Sequence, residues 1–151
     1  PTSGASEKQS SLCATADPRV IEGLDTIVPA VDRNVRAMLP PEAGDYTVHV
    51  RRYGIDGVID WPTPPQIMPR EVFLLLEFVA PTMAMAKTAC TMTKQYLLHH
   101  GFPGRLSTSG NLAFPFTPPE VEAGTAFRFS IYHIMDVAAL APLFPVTIED
   151  L

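Results

Sequence analysis

The chain has 151 residues, 46% of them hydrophobic and 18% charged, a size that buries roughly two thirds of the unfolded surface in one core and a composition far from that of disordered chains. Its net charge of −5, with lysines and arginines scattered along the chain, offers no electrostatic footprint for DNA or RNA. No run of about 18 apolar residues is present to span a bilayer, and the leader PTSGASEKQSSLC lacks the basic-then-apolar order of a secretory signal.

Residues 1–16 are rich in Ser, Thr and Gly and open at Pro1 without a methionine. They are expected to form a mobile linker. Residues 17–151 are then a single α+β domain, read as the C-terminal part of a longer polypeptide. The low charged fraction points the same way, toward apolar surface covered by something other than this chain. Cys13 and Cys90 have neither metal-ligand spacing nor a disulfide framework, which fits a reducing, cytoplasmic compartment.

Asp17-Pro18 is a helix start, with Asp17 as N-cap and Pro18 in the first turn, where its missing N–H costs nothing. Val20, Leu24, Ile27, Val28, Val31, Val35 and Leu39 then recur at three- and four-residue steps as one apolar stripe. Pro29 lies inside this stripe and predicts a kink or two shorter helices meeting there. After Pro40-Pro41, residues 46–53 alternate as a half-buried strand. Tyr46, Val48 and Val50 face the core, and Thr47, His49, Arg51 and Tyr53 form a second, polar-aromatic face. A long Gly- and Pro-rich connection holds Asp56 and Asp60, whose turn-forming and acid–base readings both stand.

Residues 71–80 are nearly continuously apolar and predict a central strand. Thr82 caps a helix running to about His99, with Met85, Ala86, Ala89, Cys90, Met92, Thr93, Tyr96 and Leu97 on its buried face. A glycine-, proline- and hydroxyl-rich loop leads to a further strand over 126–135, and the tail is read as a helical turn with an extended end. The expected order is helix, strand, strand, helix, strand, a small mixed or antiparallel sheet with helices on one face.

Chemistry concentrates in residues 99–116. Glycines at 101, 104 and 110 permit close backbone approach. Around them Arg105, Ser107, Thr108, Ser109 and Asn111 form a candidate cradle for a carboxylate or phosphate. The alternative is a structural loop whose hydroxyls make turns and whose Arg105 satisfies carbonyls. His49 beside Arg51, or His133, supplies a candidate base. No Asp or Glu lies at a spacing that completes a histidine metal site, so no metal-ligand residues are read and the cofactor stays open. No Gly-x-Ser-x-Gly elbow occurs and Cys90 falls on a helix core face, which disfavours a covalent acyl enzyme.

The stretches 49–58 (HVRRYGIDGV), 77–82 (EFVAPT), 97–118 (LLHHGFPGRLSTSGNLAFPFTP) and 129–133 (FSIYH) resemble the C-terminal region of acyclic terpene utilisation family proteins. The resemblance implies a cytoplasmic catabolic protein acting on a carboxylate or CoA thioester, with hydratase, dehydratase or lyase-type chemistry. It also implies an oligomer with a larger N-terminal domain and a small companion subunit. It carries no assigned catalytic residue and no cofactor. A non-catalytic module docking onto a larger domain or subunit is the alternative.

Overall fold

A computed structural model describes residues 5–41, 44–59, 67–105, 107, 110–127 and 147. Helix α1 (Pro18–Met38) begins where Asp17 accepts a hydrogen bond from the Arg19 amide at 2.9 Å, and it buries Val20, Ile21, Leu24, Ile27, Val31 and Val35. Of the kink or the two shorter helices expected at Pro29, the division into two does not occur: α1 is continuous through it. The carbonyl that loses its partner there, four residues earlier, belongs to exposed Asp25, at a position open to solvent.

Strand β2 (Thr47–Tyr53) alternates as expected, its Thr47, His49, Arg51 and Tyr53 side exposed. Strand β3 (Val72–Ala80) pairs with it antiparallel, placing His49 opposite Glu77. Helix α2 (Met83–His99) is capped by Thr82, whose hydroxyl accepts from the Met85 amide at 3.2 Å. Tyr96 is not on its buried face: the ring is exposed and its hydroxyl reaches Met38 Sδ at 2.9 Å. Lys94 is buried instead, in an ion pair with Glu120 and with its ammonium 5.8 Å from the Phe114 ring centroid.

The leader is not a linker. Ser6–Thr15 form β1, an interior strand paired antiparallel with both β3 and β4 (Glu120–Ala126). Segment 120–126, expected within a loop, is an edge strand, and the bridge between Ala14 and Ala113 extends the pairing backwards. The strand expected over 126–135 and the tail lie outside the described residues, apart from Ala126, Phe127 and Thr147.

The chain is therefore α+β, with element order β1-α1-β2-β3-α2-β4 and an open, wholly antiparallel sheet in the order β2-β3-β1-β4. This is the split β-α-β, ferredoxin-like arrangement. Each helix links two strands that run parallel on either side of a third, and right-handed crossovers of that kind put both helices on one face. Their core contains Val72, Leu74, Leu76 and Phe78 of β3 with Cys13 of β1. No helix of the described residues is long and apolar enough to cross a membrane.

The opposite sheet face carries Leu12 of β1 and Phe73, Leu75 and Val79 of β3, all half-buried. Between them Glu77 binds Lys8 at 3.2 Å and Arg51 at 3.0 Å. Burial works to raise the Glu77 pKa, but the Arg51 and Lys8 contacts outweigh it and hold the carboxyl below its usual range. A carboxylate lowered on folding stabilises the protein fully above its unfolded value of about 4.3, and that contribution is lost as pH falls through the lowered folded value. Glu77→Gln is thus expected to flatten the acid limb of stability below about pH 5, measured by urea unfolding at stepped pH. An unchanged limb would show that the triad is not formed in solution.

Candidate functional site

Three side-chain contacts hold the 99–111 loop against the end of α2. A helix leaves its last carbonyls without intrahelical donors. Here Asn111 Nδ2 donates to Leu97 O at 2.9 Å and His100 O at 3.0 Å, and Arg105 Nη1 donates to His99 O at 3.0 Å. The Asn111 amide has one sensible orientation, because flipping it would set oxygen against two carbonyl oxygens. Ser107 closes the turn, its hydroxyl donating to Gly110 O at 2.8 Å and accepting from the Gly110 amide at 3.3 Å. Gly110 has φ +138, and a Cβ there would come within 2.4 Å of the Leu98 side-chain tip, so a larger residue would be strained at this φ and would have to push Leu98 aside.

Much of the loop therefore does structural work, as the alternative reading expects. Arg105 is the exception. One nitrogen is spent on His99, while its other edge, Nε and Nη2, is closed off from solvent with no acceptor among the described residues. Asn111 Oδ1 is likewise buried without a donor. An unpartnered buried N–H costs about 1–3 kcal/mol, more on a charged group. Nε and Nη2 lie side by side and form the fork edge that accepts both oxygens of a carboxylate. A cleft of about 270 Å³ opens on the same loop where Ser107, Gly110 and Asn111 meet Thr15 and Asp17, and Arg105 does not line it.

The remaining sequence candidates do not converge on this loop. His49 and Arg51 stand exposed on the face of the sheet away from the helices, and Arg51 is paired with Glu77. The loop instead clings to the end of α2 in the helix layer, so the sheet separates the two groups. Thr108, Ser109, His133 and Asp60 lie outside the described residues. Asp56 is held by Arg52, with Nε at 3.0 Å from Oδ1 and Nη2 on Oδ2. That grip outweighs burial and keeps its carboxyl below the usual range, so Asp56 pins the turn after β2 and is a poor proton donor.

Burial pushes both thiols up to about 12, with Glu120 adding to the effect at Cys90. Neither is a thiolate nucleophile at neutral pH. Among the described residues no three His, Cys, Asp or Glu side chains group as a metal would require.

Sequence reasoning missed Arg19. Its guanidinium donates to the Gly104 carbonyl, 85 residues away, and its atoms lie where a Gly104 Cβ would meet them at 3.2 Å, at a backbone φ of +78. Residues this far apart leave no local spacing signal. The glycine at 104 was the only trace of the contact.

No protein-family model matches this chain, and no curated protein matches it. Among solved structures it is similar in part to the crystal structure of aminobenzoyl-glutamate utilization protein from Klebsiella pneumoniae, at 18% identity and a TM-score of 0.30. The match covers 60% of this chain and 23% of that one. A likeness this slight carries no functional argument, and none of these comparisons supports the resemblance to the acyclic terpene utilisation family.

Proposed function

We propose that this chain is the C-terminal, carboxylate-binding part of a cytoplasmic catabolic enzyme that acts on a carboxylate or acyl-CoA by hydratase, dehydratase or lyase-type chemistry. Arg105 supplies the anion contact, Asn111 and Ser107 fix the loop that presents it, and Thr108 and Ser109 add hydroxyl donors. The reading includes a larger N-terminal domain and a small companion subunit that complete the site. It gives His49 and Arg51 no place at the reacting carbon. The observation that carries it is the unpartnered Nε/Nη2 edge of Arg105, a cation edge whose burial makes sense once an anion lies against it.

In the intact enzyme, hydration of a 2-enoyl-CoA is the reaction to follow. Arg105→Ala is expected to lower kcat/KM about 100-fold or more, as loss of a charged hydrogen-bond pair does, with melting temperature little changed. Arg105→Lys restores the charge without the planar fork and should not rescue the rate. Normal turnover in Arg105→Ala removes the proposal.

A second reading, a non-catalytic assembly module, is favoured by the open sheet face, where Leu12, Phe73, Leu75 and Val79 surround the Lys8–Glu77–Arg51 triad. Covering that face with another subunit would bury its apolar side chains fully. Leu75→Lys should then shift the assembled protein to a smaller species in light scattering while the chain stays folded. An unchanged mass would rule this reading out.

A further inference from the structure

A groove of about 710 Å³ runs between α1 and the loop at 100–103. Its α1 wall is a single stripe from Arg19 through Gly23, Ile27 and Ala30 to Arg33, and Phe102 and Pro103 form the facing wall. The two arginines lie about four turns apart, about 21 Å along the helix axis. The groove's size and its mostly apolar walls with a few charged groups are those of a small-molecule site.

The two ends differ in charge. At the first, Arg19 is committed to the Gly104 carbonyl, and Glu22 sits beside it in the wall. At the other end Arg33 has no ion pair or hydrogen bond among the described residues. Its neighbour Asp32 is already engaged, accepting from Arg36 at 2.9 Å and from the Tyr46 hydroxyl at 2.7 Å. The groove thus presents at this end a cation with no ion partner among the described residues, about 15 Å along the helix from Gly23, with Ala30, Ile27 and Thr26 on the wall between them and His100 on the facing loop.

We infer that this groove binds a single-headed anionic amphiphile, its head on Arg33 and its chain lying over Ala30 and Ile27 toward Gly23 and Phe102. The site is separate from the Arg105 edge and does not depend on it. Gly101 offers a place to obstruct it: it lines the groove, and a Cβ added there meets nothing within 4 Å, so a large side chain can be introduced at the groove without displacing the fold.

Titration calorimetry of the full chain with dodecanoate below its micellar concentration tests this. Dodecanoate should bind, and Arg33→Ala and Gly101→Phe should each weaken it by about tenfold or more, the loss expected for a charge-assisted contact or for a filled channel. Arg105→Ala should leave the affinity unchanged, whatever it does to turnover. Dodecyltrimethylammonium, with the opposite head charge, should bind at least about tenfold more weakly. The inference is overturned if dodecanoate does not bind, if both groove variants bind it as the unmodified chain does while their melting temperatures are unchanged, if the cationic amphiphile binds equally well, or if only phosphatidylglycerol vesicles and not monomeric dodecanoate associate.

Discussion

A chain beginning at Asp17 is expected not to fold. Strand β1 occupies an interior position and pairs along its length with β3 and β4, so its removal leaves β3 with a bare edge and β4 with no partner. Each lost ladder bond is worth about 0.5–1.5 kcal/mol. The helix-facing side of the strand, Gln9, Ser11, Cys13 and Thr15, is also buried beneath the helices. Together these losses exceed the roughly 5–15 kcal/mol by which a domain is stable. Far-UV circular dichroism and a two-dimensional amide NMR spectrum of the truncated chain should show collapse of native structure. A chain beginning at Ala5, which keeps the whole strand, should melt like the full one. Native dispersion in the Asp17 chain would mean that the leader is a linker after all.

Asn111→Leu is expected to cost about 2–4 kcal/mol, from two hydrogen bonds of about 1 kcal/mol each and the buried carbonyls they leave unpaired. Leucine is close in volume, so packing alone would cost far less. The effect should show as a lower urea midpoint with the denaturant slope unchanged. Because the same amide seats the loop that carries Arg105, carboxylate affinity should fall with it. Arg105→Ala should remove affinity at a smaller cost in the urea midpoint, because loss of the contact to His99 O is offset by removing two buried N–H groups that have no acceptor among the described residues. If the two variants behaved alike, Arg105 would be a second cap for α2 and nothing more.

How legible each element was depended on which residues the fold buries. Helix α1 announced itself through Asp17-Pro18 and a stripe of branched apolar residues, and β3 through an unbroken apolar run. Strand β1 was hidden because its buried side is Gln9, Ser11, Cys13 and Thr15, so it lacks the hydrophobic alternation by which strands are recognised. Ser11 Oγ and Gln9 Oε1 have no partner among the described residues, a polar interior that a reading by hydropathy assigns to solvent. Strand β4 failed differently: at a sheet edge, Glu-Val-Glu-Ala-Gly-Thr-Ala is mostly exposed, and neither face needs to be apolar.

The loop at 99–111 was visible as a concentration of glycine, hydroxyl, arginine and amide. What sequence left open was which of those groups the α2 carbonyls consume. Asn111 spends both amide hydrogens there and Ser107 turns back on Gly110, while Arg105 keeps one edge unspent. The pairing of His49 and Arg51 with that loop failed for a topological reason. Alternation along β2 correctly put both on one strand face, but only the crossovers decide that the loop lies on the other side of the sheet.

The guanidinium Nε–H resonances of the 15N-labelled chain, followed as butyrate is added, test the central claim most directly. The Arg105 signal should shift downfield and saturate and its exchange with water should slow, as expected for a side-on carboxylate on Nε and Nη2, while Arg51 and Arg52, already paired with Glu77 and Asp56, stay still. An Arg105 signal that remains in place while butyrate is raised to saturating millimolar levels would contradict the carboxylate site.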